Sequence, residues 1–128
     1  MSISENKPTV LIIDDDELIR LSVTNVLKKN GLTALQAENG HVGVEIFKRD
    51  NPAIVITDML MPDKEGLETI SEIRALSPKA KIIAISGGGN TQNMSFLQLA
   101  QKIGADKIIS KPLKPSDLMA AIKDLLQA

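Results

Sequence analysis

Asp58 closes a short apolar run reading IVITD, and three other apolar runs in this 128-residue chain end on polar groups in the same way. VLIID leads into Asp14 and Asp15, KIIAIS ends on Ser86, and KIIS runs into Lys111-Pro112. Brought together, these ends offer three carboxylates, a hydroxyl and an ammonium. Carboxylates sharing one cleft raise one another's pKa values unless a cation joins them. Oxygen ligands with no His or Cys beside them suit a hard ion. Mg²⁺ fits best, because it takes one or two carboxylates, keeps several waters and bridges to phosphate. Each residue alone has a plainer role. Asp14, Asp15 and Asp16 can cap the helix that follows, Asp58 can be a turn residue, Ser86 a loop serine and Lys111 a solvated lysine. His41, the sole histidine, sits at a helix start with no ligand set around it and reads as a surface residue.

The elements that must position these groups follow from the spacing of apolar residues. Strands are expected at Thr9 to Ile13, Thr33 to Ala37, Ile54 to Asp58, Lys81 to Ile85 and Lys107 to Ser110, the third buried on both faces. Helices are expected between and after them. The first, Glu17 to Asn30, turns Ile19, Val23, Val26 and Leu27 inward, and Gly31 ends it. Gly40 to Arg49 buries Val44 and Phe47 and stops at Asn51-Pro52. Glu65 to Leu76 aligns Leu67, Ile70 and Ile73. A fourth helix runs from about Met94 to Ile103 after a Gly87 to Thr91 loop. A fifth starts at Pro115 with Leu118, Ile122, Leu125 and Leu126 inward. Five βα repeats give an α/β fold: a doubly wound, flavodoxin-like parallel sheet of five strands in the order 2-1-3-4-5, with five helices. In that order strands 1 and 3 are neighbours at the switch point, so Asp14, Asp15 and Asp58 face one crevice.

Composition narrows the setting. The length suits one domain, residues 8 to 128, behind a polar, unpatterned arm at residues 1 to 7. A formal charge of −1 gives no basis for binding nucleic acid or a membrane surface. No cysteine is present, so disulfides and thiolate sites are excluded. With no secretory leader pattern either, a cytoplasmic location is expected. Two Phe and no Trp or Tyr leave a core of aliphatic residues and few surfaces for stacking bases.

The segments IIDDDE, TDMLMPDKEG, AIS and SKP, in this order and at strand ends, resemble those of response-regulator receiver domains of two-component signalling, along nearly the whole chain. The resemblance implies that Asp58 accepts a phosphoryl group from a histidine kinase or histidine phosphotransfer protein. It implies that Asp15 ligates Mg²⁺ directly, that Asp14 helps hold it through water, and that Asp58 and the Leu60 backbone carbonyl complete the protein's share of ligands. Lys111 would pair with the acceptor carboxylate and then with the phosphoryl group, and Ser86 would hydrogen-bond that group after transfer. A cis Lys111-Pro112 bond is also implied. The output would be a phosphorylation-dependent change of partner binding, or a homodimer, through the fourth helix, fifth strand and fifth helix. The downstream partner is not encoded here, nor is whether the chain stands alone or is cut from a longer regulator.

Two features depart from the family pattern. Position 108, three residues before the lysine, is Ile where an aromatic is usual, and the interval from Ser86 to Lys111 is longer than the common one, with the excess around Gly87 to Thr91. The glycine loop is therefore the expected moving part. Two alternatives stand beside the signalling switch: an interaction module with a vestigial acidic cluster, and an Mg²⁺-dependent phosphatase with an aspartyl nucleophile. The phosphatases resembling haloacid dehalogenases place an acid two residues after the nucleophile, where this chain has Leu60.

Overall fold

In the computed structural model, residues 8–59, 66–86, 98, 101–102 and 104–127 are described. Five parallel strands, β1 (Thr9–Ile13), β2 (Thr33–Ala37), β3 (Ile54–Asp58), β4 (Lys81–Ser86) and β5 (Lys107–Ser110), form one sheet ordered β2-β1-β3-β4-β5. The described helices are α1 (Glu17–Lys29), α2 (Gly40–Asp50), α3 (Gly66–Leu76) and α4 (Pro115–Gln127). The expected helix from about Met94 falls mostly outside the described residues, of which Gln98, Gln101 and Lys102 are helical. The Gly87 to Thr91 loop and residues 1–7 lie wholly outside them.

Alternation along the strands sorts the core into two layers. Leu11, Ile13, Val55, Ile82 and Ala84 pack with Val44 and Phe47 of α2 and Ile70 and Ile73 of α3. Val10, Ile12, Ile54, Ile56, Ile83 and Ile85 pack on the other face with Val23 and Leu27 of α1 and Leu118, Ile122 and Leu125 of α4. All five residues of β3 are buried, as a strand with helices on both sides requires. Leu126 corrects the expected inward set, since it is 39% exposed. One residue past Leu125 is a rotation of about 100°, enough to leave the stripe on the final turn.

Helix ends follow local chemistry. Asp16 caps α1 through its side chain, which accepts the Leu18 N–H, and Asn39 caps α2 by accepting from Val42. After α1, Gly31 takes φ 78°, which lets its N–H reach the Lys28 carbonyl and the Leu32 N–H reach that of Leu27.

At the amino-terminal end of β4 and β5, Arg74 of α3 joins three segments. Its guanidinium donates to the carbonyls of Pro78, Ala80 and Gly104 and to Asp106 Oδ2 at 2.9 Å. The same Asp106 oxygen accepts the Ile82 N–H at 2.7 Å, and the Asp106 N–H returns a bond to the Ile82 carbonyl at 2.8 Å. The short edge strand β5 is thereby fixed where it starts.

Candidate functional site

The site forms where β1, β3, β4 and β5 end. Leaving β1, the Asp14 N–H donates to the Ala37 carbonyl at 3.1 Å, and Asp14 Oδ1 accepts the Asp16 N–H at 2.9 Å. Arg20, one turn into α1, donates to the Asp14 main-chain oxygen at 2.7 Å and to Gln36 Oε1 of β2 at 3.2 Å. That bond holds the β1–α1 corner in place. Asp14 is fully buried, Asp15 is exposed, and Asp16 is occupied with capping.

At the end of β3, the Asp58 carbonyl accepts the Thr57 hydroxyl at 3.2 Å, and the next residue, Met59, continues the pairing by donating to Ile85 at 2.9 Å. Gly66 returns directly over this corner. Its N–H reaches the Met59 carbonyl at 3.2 Å, and a Cβ there would lie 2.3 Å from the Asp58 carbonyl oxygen and 2.6 Å from Met59 Cα. No side chain fits.

On the other flank, the Lys111 N–H donates to the Ser86 carbonyl at 3.0 Å, and the Lys111-Pro112 bond is cis, as expected. Lys111 Nζ lies 3.4 Å from Asp58 Oδ2. Ser86, buried at the end of β4, donates its hydroxyl proton to Ser110 Oγ at 3.3 Å. Beside Lys111, between α1 and the β5–α4 turn, an apolar cleft of about 270 Å³ is lined by Ile19, Val23, Ile85, Pro112 and Leu113.

Asp14, Asp15 and Asp58 each present a carboxylate oxygen within 4.8 Å of the others. Opposite ligands of a magnesium octahedron stand about 4.2 Å apart. The spread is thus on the scale of a single hydrated magnesium site. Asp14 Oδ2 is buried with no hydrogen-bond partner among the described residues, an oxygen that a cation or its water would satisfy. The donor set thus fits Mg²⁺. Leu60, whose carbonyl was expected to help, lies outside the described residues.

Burial pushes the Asp14 carboxyl up to about 6; the Asp16 N–H opposes the rise, the charge of Asp58 adds to it, Lys111 opposes it and Asp15 adds a little. Neighbouring carboxylates raise it, as expected from their crowding, but loss of water is the larger cause. The structure thus brings together Asp14, Asp15, Asp58, Ser86 and Lys111. Sequence reasoning passed over Gly66, Arg20 and Ser110. Gly66 lay within the TDMLMPDKEG segment and Ser110 within SKP, but nothing local marks what either touches.

Residues 10–123 match the family described as response regulator receiver domain, and the chain belongs to that family. It is a receiver domain of two-component signalling with the doubly wound fold of such domains. The chain is 37% identical to the chemotaxis protein CheY of Halobacterium salinarum over 119 residues, 93% of this chain and 97% of that protein. It is 37% identical to CheY of Thermotoga maritima over 114 residues, covering 88% and 92%. A CheY-like receiver domain from Methanospirillum hungatei superposes with a TM-score of 0.87 at 29% identity, covering 95% of each chain. Similarity extends to one segment of a far longer protein, the autoinducer sensor kinase/phosphatase LuxN of Vibrio harveyi. There it is 35% over 97 residues, 11% of that protein's length. Among the described residues no helix is long and apolar enough to cross a membrane.

Proposed function

We propose that residues 8–128 are a phosphorylatable switch of the cytoplasm in which Asp58 accepts a phosphoryl group from the phosphohistidine of a histidine kinase or phosphotransfer protein. An Asp58 carboxylate oxygen supplies an electron pair to phosphorus, forming an O–P bond. The donor's P–N bond breaks, and its electrons leave on the imidazole nitrogen. The product is an acyl phosphate. Asp14 and Asp15, with Asp58 and the Leu60 carbonyl, would hold Mg²⁺. When bound, that ion neutralises charge on the carboxylates and on the phosphoryl oxygens. Lys111, paired with Asp58 before transfer, turns its ammonium to a phosphoryl oxygen afterwards. Ser86 donates its hydroxyl proton to another. The domain takes part in its own phosphorylation and autodephosphorylation and turns over no separate substrate.

The observation that carries this reading is a buried Asp58 contacted by the Lys111 ammonium on one side and facing Asp14 and Asp15 on the other, with one Asp14 oxygen unsatisfied. Phosphorylation changes the face made by the segment before β5, by β5 itself and by α4, and so its affinity for a downstream protein or a second copy of the chain. Incubation with acetyl phosphate and Mg²⁺ followed by intact-mass measurement tests the reading. A single stable phosphoryl gain, absent in Asp58→Asn, is the expected result. Continuous phosphate release without accumulation would mark a phosphatase, and no gain at all would mark a vestigial site.

A further inference from the structure

We infer that Ser110 is a positioning residue for phosphoryl acceptance, holding the Ser86 hydroxyl away from the site until a phosphoryl group competes for it. The inference rests on the proposed role of Asp58 as acceptor and concerns a residue that no part of that role requires. Ser86 and Ser110 are register partners across β4 and β5, so their side chains leave the sheet on the same face. The Ser86 hydroxyl donates to Ser110 Oγ at 3.3 Å. A serine hydroxyl has one proton and can donate to one acceptor at full strength. On the adjacent strand Asp58 is in register with Ile85, so Ser86 stands one residue beyond the acceptor.

Before transfer, the neutral Ser110 oxygen takes the proton. After transfer, a phosphoryl oxygen offers a charge-assisted bond, which is stronger, and the proton changes partner. Ser86 is buried and cannot turn to bulk water instead, whereas Ser110 is exposed and finds water when released. The adjacent position on the same face, Ile108, packs with the α2–α3 layer and carries no polar group. Among the described residues of β5, the exchange therefore falls to Ser110.

The consequence is kinetic and one-sided. The Ser86–Ser110 bond exists only before transfer, so losing it raises the starting state towards the transition state and speeds uptake. Loss of the phosphoryl group begins from a state in which that bond is already broken, so its rate should not change. Ser110→Val and Ser110→Thr have nearly the same shape, but only Thr keeps the hydroxyl. Uptake from acetyl phosphate with saturating Mg²⁺, followed by intact mass, should be about threefold faster in Ser110→Val than in Ser110→Thr, the scale of one modest neutral hydrogen bond. Their dephosphorylation rates should agree, and the difference in uptake should vanish when Ser86→Ala is added to both. Equal uptake in the two variants would overturn the inference while leaving the acceptor reading intact, as would a difference that survives Ser86→Ala. Absence of any phosphoryl gain in the unmodified chain would overturn both.

Discussion

The two ends of the β4–β5 pair are built on opposite electrostatic terms. At the amino-terminal end one guanidinium meets one carboxylate and three main-chain carbonyls, and the carboxylate oxygen it meets also accepts a backbone N–H. Opposite charges there are paired one to one. At the carboxyl-terminal end three carboxylates gather near one ammonium, which sits at 3.4 Å from Asp58, and a buried Asp14 oxygen has no partner among the described residues. A parallel sheet supports this division because all its strands end together on one side, where ligands bind, while the other side is free to be closed for stability. The matched end fixes the strands so that the unmatched end can hold charge it would otherwise relieve by moving.

The sharpest break in this comparison comes at Asp58. Asp58→Asn should reduce phosphoryl gain by at least about a hundredfold with little change in urea midpoint, since the unmatched end carries the chemistry. A variant with normal gain would transfer the acceptor role elsewhere. Arg74→Met tests the opposite end. Removing one partner leaves Asp106 and several carbonyls short of donors, and stability in urea should fall by about 3 kcal/mol. Where the variant is still folded, phosphoryl uptake should persist. Loss of uptake at unchanged stability would show that the two ends are not separable.

Gly66→Ala sharpens the contrast because it acts on both. The added methyl meets main-chain atoms of Asp58 and Met59, which cannot rotate away, so a cost of about 2 kcal/mol is expected together with slower uptake. The smallest effect concerns Asp14. Its folded pKa of about 6 lies above the ordinary 3.8, so the folded chain binds this proton more tightly than the unfolded chain does. The resulting stability is complete below about pH 4 and is lost as pH rises through about 6. Urea midpoints of the metal-free protein should follow that window, and Asp14→Asn should flatten it and gain about 1 kcal/mol at pH 7. The same variant should bind Mg²⁺ about tenfold more weakly by titration calorimetry. An unchanged pH profile would mean that Asp14 is not the strained group.

The strand ends were legible in sequence because β-branched runs and the polar residues that close them are local signals, and five βα repeats leave few topologies. Lys111 and Asp58 could be paired through family resemblance, and the structure brings them into contact. Arg74 and Gly66 were not legible. Arg74 reaches Asp106 across 32 positions, and the crowding over Gly66 depends on how tightly the chain returns after Met59. Neither fact is written in spacing. Leu126 misled for a related reason: apolar type alone cannot say where a stripe ends on a last turn. The cause of the Asp14 shift needed the burial of that residue, which its neighbours in sequence do not reveal.

Pairing of β1 with β3 sets Val10 opposite Ile54, although α1, β2 and α2 all lie between the two strands in the chain. Closing so long an interval costs entropy before any contact repays it, which places this pairing among the slow events of folding. Asp14 and Asp58 become neighbours only once it has happened. The ion-binding cleft is therefore a property of the nearly complete fold, and a ligand bound there acts on how long the native state lasts more than on how quickly it is reached.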